Sequence, residues 1–337
     1  MSRHLHIHQA GPGLTVQDLG RPGYLAYGLS RGGAADRLAI YEGAALLGQA
    51  PDMAALEMAG MGGTFEASED IRIALTGAPM KARIDGEAVA WTASHLLPKG
   101  ARLDIGPATA GVYGYLHVGG GIATPEILGA RSAHLAAGIG APLAAGDSLP
   151  IGPDRGTETG LVLDPEDRFA GGEVRVVAGY QTAMFPDDEV TRFEETQFTR
   201  DARGNRMGVR LAPDGEGFAS RAGLTVLSEA IVPGDIQITG DGAPFVLMAE
   251  CQTTGGYPRI GAVLPCDLPR VAQAAPGTAL RLRFVPPDEA LAAERRAAEA
   301  RAGLRRRLRH LTRDPHDIRD LLSYQLISGV TAGTGEE

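Results

Sequence analysis

Cysteine occurs twice in this 337-residue chain, tryptophan once, and lysine only at Lys81 and Lys99. Cys251 and Cys266 are not spaced as a disulfide framework or a zinc site. They read as reduced thiols of a cytoplasmic protein. No apolar run approaches the ~20 residues that a membrane helix needs. Met1-Ser2-Arg3-His4 does not start a charged-then-apolar export signal, so a cytoplasmic location is expected. With 32 basic against 41 acidic residues, net charge −9, nucleic acid is not an expected partner. There is no Gly-x-x-x-x-Gly-Lys-Ser/Thr phosphate loop, no Gly-x-Ser-x-Gly elbow and no His-Glu-x-x-His pair.

What is abundant is glycine, at 47 residues, and proline, at 22, scattered among short apolar segments. Alternating or β-branched runs at Ile71–Gly77, Val112–Val118, Glu173–Ala178, Ile236–Thr239, Phe245–Ala249, Ile260–Leu264 and Leu280–Val285 predict strands. Short strands with frequent turns point to a mainly β fold, a barrel or a sandwich. A small pattern, Gly-x-x-apolar-x-apolar, recurs at Gly100, Gly146 and Gly277, and any β protein would show it. A few short helices are expected. Ala34–Leu47 stops at Gly48, Glu189–Glu195 is brief, and Leu268–Ala274 follows Asp267 as N-cap. Residues 152–172, rich in Gly, Pro and acid, read as a linker between residues 1–155 and 173–286. Residues 287–337 form an Arg-rich helical tail. Leu304, Leu308 and Leu311 lie at helical spacing, and Asp314-Pro315 opens a second helix through Ile318, Leu322 and Gln325 to Gly329. Composition favours a hairpin packed on its own domain over a partner-docking helix.

Three stretches carry more polar groups than a β protein needs. Gly11–Gly28 frames Gln17, Asp18, Arg21 and Tyr24 with glycines, so backbone N–H groups and a charged pair can approach a ligand. The plainer reading is a turn pinned by Asp18 and Arg21. Gly204–Arg210 puts Arg206 and Arg210 four apart, where paired donors can hold a carboxylate. In ECQTTGGYPRIG, Glu250–Gly261, Gln252, Thr253 and Thr254 offer donors and acceptors, Gly255 and Gly256 give close backbone approach, and Tyr257 adds a ring. His4, His6 and His8 alternate along one strand face but lack a further ligand nearby, and no metal is expected. Met80-Lys81-Ala82 is half of a biotin-attachment Met-Lys-Met, so the chain is not expected to carry its own biotin.

TVQDLGRPGY (Thr15–Tyr24), GGAADRLA (Gly32–Ala39), IALTGA (Ile73–Ala78), YLHVGGGI (Tyr115–Ile122), LGARS (Leu128–Ser132), NRMGVRL (Asn205–Leu211), SEAIVPGDIQI (Ser228–Ile238) and ECQTTGGYPRI (Glu250–Ile260) follow one another in order. Together they resemble the biotin-dependent carboxyltransferase family, also called allophanate hydrolase subunit 2. The resemblance runs from about Gly11 to Phe284. Bacterial members include the C subunit of ATP-dependent 5-oxoprolinase and the antagonist of the sporulation kinase inhibitor. Five positions depart from the pattern: Asn205 for an acid, Ala230 for glycine, Gly43-Ala44 for Ala-Asn, and Cys251 for Ala or Arg.

The resemblance implies cyclophilin-like β-barrel domains. It implies the C subunit of a heteromeric 5-oxoprolinase, which opens 5-oxo-L-proline to L-glutamate with ATP hydrolysis. The expected partners are the family's kinase-inhibitor-like subunit 1, the B subunit in 5-oxoprolinase, and a LamB/YcsF-type A subunit. ATP is expected at the level of the complex. One alternative is a carboxyltransferase subunit of urea carboxylase type, with biotin on a separate carrier. Another is a non-catalytic partner of a kinase-inhibitor-like subunit. On this reading Asp18, Arg206 and Gln252 are the candidate catalytic residues. Arg21, Arg210, Thr253, Thr254, Gly255, Gly256 and Tyr257 are the candidate substrate contacts. Gln252 and the threonines match the N–H and C=O edge of a cyclic amide, the arginines hold a carboxylate, and Asp18 or Glu250 orients them or serves as base.

Overall fold

The computed structural model describes residues 3–312, apart from 165, 222, 224 and 225. The predicted strands are present, each within two residues of its expected ends. Up to residue 151 the chain forms two sheets. One has six strands in the order Ser148–Pro150, His4–Ala10, Gly63–Ala67, Arg102–Ala108, Met80–Ile84 and Glu87–Val89. The other has Thr15–Gln17, Ala55–Ala59, Tyr113–Val118, Ile71–Gly77, Ala93–Leu97 and two later strands, Leu161–Val162 and Arg309–His310. Leu5, Ile7, Phe65, Leu75, Leu103 and Leu116 fill one core cluster. Ile71–Gly77 is central in its sheet, and helix α1 (Arg37–Leu47) packs on it, so every residue is buried despite the alternation.

Residues 172–284 close a seven-stranded barrel. Closure comes from a parallel pairing of Gly172–Val177 with Ala279–Phe284. A closed barrel leaves no strand edge for unwanted pairing. Helix α2 (Asp187–Glu195) carries Phe193 to ring-centroid distances of 5.2 Å, 5.4 Å and 5.9 Å from Phe198, Phe218 and Phe284. The recurring Gly-x-x-apolar-x-apolar pattern serves both halves, because Leu103, Ile105, Leu149, Leu280 and Leu282 all point inward. It is a local turn-and-strand device.

Several expectations change. Helix α1 begins at Arg37, because Asp36 caps it by accepting from the Ala39 N–H at 3.2 Å. Asp267 precedes α3 (Leu268–Gln273) but makes no side-chain cap. Its carboxylate is occupied by Arg175, at 2.6 Å and 2.9 Å. Residues 152–172 are not a free linker. Asp154 pairs with Arg72 at 2.6 Å, Leu161–Val162 joins a sheet, and Arg168 is buried. The Leu304–Leu308–Leu311 stripe is not one helix face either. Helix α4 (Pro287–Ala302) ends first, and Arg309–His310 adds a strand beside Leu161–Val162. Leu304 and Leu308 pack with Leu46, Leu47 and Leu163, while Leu311 is exposed, so this part of the tail folds back on its own chain. The predicted helix from Asp314 to Gly329 lies outside the described residues.

Candidate active site

The junction between the two halves is polar and buried. Gln273 of α3 crosses it. Its side-chain oxygen accepts from the N–H groups of Val112 and Tyr113, both at 2.9 Å. Its Nε2 donates to Asp36 and to the Tyr113 carbonyl, both at 2.8 Å. Arg168 donates to Asp36 at 2.7 Å and grips Glu42 with two bonds at 2.9 Å and 2.7 Å. Burial opposes charge on Arg168, but Asp36 and Glu42 outweigh it and hold the guanidinium above the usual arginine range.

Arg206 is the centre of a second cluster. Its Nε donates to Glu250 at 2.5 Å, its Nη1 to Glu57, and its Nη2 to the Gly33 carbonyl. Glu57 also accepts from the Ala35 N–H at 2.8 Å and the Tyr115 hydroxyl at 2.6 Å. Burial disfavours the Arg206 charge, yet the two carboxylates raise its pKa. All three guanidinium nitrogens are engaged inside the chain, so the expected grip on a ligand carboxylate would require Arg206 to leave Glu57, Glu250 or the Gly33 carbonyl. Arg210 does not join it. From the strand Gly208–Pro213 it reaches Asp201 at 2.8 Å and Asp241 at 2.5 Å. Arg206 lies in the preceding turn, where the four-residue spacing has no helical meaning.

The first glycine loop is also turned inward. Asp18 accepts from the N–H groups of Gly20 at 2.8 Å, Arg131 at 2.6 Å and Ser132 at 3.3 Å. It ties loop to loop and does not pair with Arg21. Arg21 is 1% exposed and donates to the carbonyls of Ser132 and Ile127, leaving Nη1 without a partner. Its expected contact with substrate would require the loop to open.

Ser30, His134 and Glu250 resemble a nucleophile triad by residue type. Ser30 Oγ is 2.9 Å from His134 Nε2, and His134 Nδ1 is 3.9 Å from Glu250. However, Nδ1 accepts from the Ala137 N–H, so the proton sits on Nε2, which donates to Ser30. That tautomer cannot take the serine proton. Burial also lowers the His134 pKa, against the pull of Glu250.

The Gln-Thr-Thr stretch is the exposed part of the constellation. Thr254–Gly255 pairs with Glu229–Ala230, and the Ile231 N–H donates to the Thr253 carbonyl at 3.0 Å. A Cβ at Gly255 would lie 2.4 Å from Gln237 Nε2, so that glycine makes room for the protein itself. Gly256 accepts through its carbonyl from the Val226 N–H at 2.8 Å. The side chains of Gln252, Thr254 and Tyr257 are exposed, and among the described residues none of the three makes a hydrogen bond. Cys251 points the other way, into Ile231 and Leu247, and burial pushes its thiol up to about 12.

The departures from the family pattern have local causes. Asn205 accepts from the Met207 N–H at 2.8 Å, a turn bond an aspartate would make equally, so its charge is not used in the site. Gly43 faces the His117 ring, which a Cβ would meet at 2.3 Å. Ala230 gives its carbonyl to Arg259 at 3.1 Å, and nothing in the structure explains its methyl group.

Glu57, Asp36, Glu42, Tyr115, His134 and Arg168 were not singled out from the sequence. The available signal was a lone acid within the apolar run AALEMAG and an acid inside an otherwise apolar helix. His4, His6 and His8 share one sheet face. His8 meets Glu66 at 2.9 Å, and the His4 and His6 rings stack at 6.2 Å. Among the described residues no three His, Cys, Asp or Glu side chains are grouped to hold a metal ion.

Residues 27–285 match the family described as Carboxyltransferase domain, subdomain A and B. The chain belongs to this family. The carboxyltransferase chain is 35% identical over 294 residues to the 5-oxoprolinase C subunit of Escherichia coli, covering 86% of this chain and 94% of that protein. A crystal structure of the protein TTHA0988 superposes with a TM-score of 0.77 at 30% identity, covering 84% of this chain and 56% of that one. This chain thus spans little more than half the length of that relative. The Kluyveromyces lactis urea amidolyase superposes with a TM-score of 0.80 at 22% identity, over 89% of this chain and 20% of that one, which speaks for the fold alone. No helix among the described residues is long and apolar enough to cross a membrane.

Proposed function

We propose that this carboxyltransferase-family chain is the C subunit of an ATP-dependent 5-oxoprolinase. It would act with a kinase-inhibitor-like B subunit and a LamB/YcsF-type A subunit to open 5-oxo-L-proline to L-glutamate. The observation that carries the reading is the 35% identity over 94% of the length of the Escherichia coli C subunit. ATP belongs to the complex in this proposal, and the location is the cytoplasm, where two thiols stay reduced.

Gln252, Thr253, Thr254 and Tyr257 form the surface offered to the cyclic amide. The Gln252 carboxamide can pair with an N–H and a C=O at once. Asp18, Arg206, Glu57 and Glu250 hold the loops behind that surface. Partner docking is placed on the same face. Tyr180 is 100% exposed and Leu227 is 86% exposed. They neighbour the motif through bonds from Gln181 to Glu229 at 2.9 Å and from Val226 to Gly256 at 2.8 Å. Exposed aromatic and aliphatic side chains of this kind are common interface anchors.

The test is reconstitution. The chain is purified with both partner subunits and assayed for ATP-dependent glutamate release from 5-oxoproline. Gln252→Ala with Tyr257→Ala is expected to lower turnover at least tenfold with the melting temperature unchanged. A well-folded complex that makes no glutamate would reject the reading and direct the assay to carboxyl transfer from a biotinylated carrier.

A further inference from the structure

Helices α1, α3 and α4 line a cavity of about 200 Å³. Its apolar walls include Leu38, Met248, Leu268 and Pro269, and Ala297 of α4 closes one side. Three guanidinium groups reach it, from Arg31, Arg37 and Arg301. None of the three has a salt-bridge partner among the described residues. Arg37 Nε is buried without a hydrogen-bond partner. Burial and then the neighbouring charges of Arg31 and Arg301 lower the Arg37 pKa, against a hydrogen bond with Tyr41. Arg301 lies over the Tyr41 ring at 5.6 Å, which fixes its direction. Two carboxylates also line the space. Glu294 is occupied by the Cys266 N–H at 2.7 Å, and Glu166 by Arg307 at 3.2 Å.

We propose that this cavity binds a small organic monocarboxylate, its charge held by Arg37 and Arg301 and its body lying on Leu38, Met248 and Pro269. Arg307 already neutralises Glu166, so Glu294 is the remaining carboxylate against three guanidiniums, and an anion is favoured. Inorganic phosphate has no apolar body to lie on Leu38, Met248 and Pro269, so an organic carboxylate fits this lining better. The three arginines are half-buried, and Arg31 already donates to the Leu19 carbonyl at 2.8 Å, but the buried Arg37 Nε lacks an acceptor that a bound carboxylate would supply. The wall formed by Glu294, Ala297 and Arg301 lies beyond residue 285, where the family match ends, so the C-terminal extension completes the site. The inference does not depend on the reaction proposed above, because binding is read without turnover.

The full chain is titrated by calorimetry with sodium pentanoate, 5-oxo-L-proline and inorganic phosphate separately. One-to-one binding of at least one carboxylate is expected, tighter than any phosphate binding. Arg37→Gln and Arg301→Gln should each weaken it at least tenfold. Ala297→Trp should abolish it by filling the space without removing a charge. Lys81→Ala, exposed and outside the cavity lining, should leave it unchanged. Thermal unfolding of each variant separates loss of binding from loss of fold, and Arg301→Gln and Ala297→Trp on α4 carry the test if Arg37→Gln unfolds. Absence of carboxylate binding, stronger binding of phosphate, or full binding by Ala297→Trp would each overturn the proposal.

Discussion

Arg206, in the turn that enters a barrel strand, donates to Glu57, which lies 149 positions earlier on a strand of the other half of the molecule. The same guanidinium neutralises Glu250. Two carboxylates, 1% and 3% exposed at their side chains, thus depend on one cation. Arg206→Met is expected to cost about 3–5 kcal/mol, because the glutamates remain buried and uncompensated. Urea denaturation followed by circular dichroism measures this. A loss below ~1 kcal/mol would show that the junction relaxes and lets water in.

Gly43 and His117 form a second such pair across α1 and the sheet. Alanine is the better helix former by about 1 kcal/mol. Its methyl group would nevertheless overlap the imidazole at 2.3 Å, and overpacking costs about 1–3 kcal/mol or more. Sterics therefore win, and Gly43→Ala should be destabilising. Adding His117→Ala should recover much of the loss, giving a measurable coupling in a double-mutant cycle. Additive losses would contradict the packing argument.

His117 also predicts a pH dependence. Burial lowers its pKa to about 3 from 6.5. The Thr76 hydroxyl donates to the Ala39 carbonyl at 2.9 Å and lies 2.8 Å from His117 Nε2, accepting from the neutral ring. The unfolded state binds the proton first as pH falls. Stability from this group is therefore complete above pH ~6.5 and declines by about 1.4 kcal/mol per pH unit on acidification toward the folded pKa. His134 and His95, also lowered by burial, add to the same slope. His117→Gln should flatten the stability profile between pH 6.5 and pH 5 by roughly 1.4 kcal/mol per unit. An unchanged slope in the variant would mean that His117 is protonated in the folded protein.

The two thiols should be slow to react. Burial pushes Cys251 and Cys266 up to about 12. At pH 8 almost no thiolate is present, and the thiolate is the nucleophile. A chromogenic disulfide should label neither cysteine of the native chain within minutes and both after denaturation. Rapid labelling of Cys251 in the native state would show that the packing of Ile231 and Leu247 over it is loose.

The strands were legible in the sequence because apolar alternation and β-branching follow directly from a pleated, half-buried surface. The capping role of Asp36 was less so: the helix was expected from Ala34, and only the bond to Ala39 sets its start. Asp267 looked like a cap and became the partner of Arg175, because a charged partner across the fold binds a carboxylate more strongly than a backbone N–H does. The stretch from 152 to 172 looked like a linker by composition, yet it contains Arg168, one of the most deeply buried charges in the chain. Composition reports average solvation and cannot see a single residue that finds two carboxylates.

Sequence alone determined the β class, the short helices and the motif order that marks the carboxyltransferase family, since these rest on local periodicity and on residue identity. Only the tertiary structure decided what each motif residue does. It turned Asp18, Arg21 and Arg206 inward, sent Arg210 to other partners, and left Gln252, Thr254 and Tyr257 facing out. The reason is physical. A guanidinium or carboxylate takes its role from the charges brought beside it, and those come from strands more than a hundred residues away, closed together only by the barrel and the sheets.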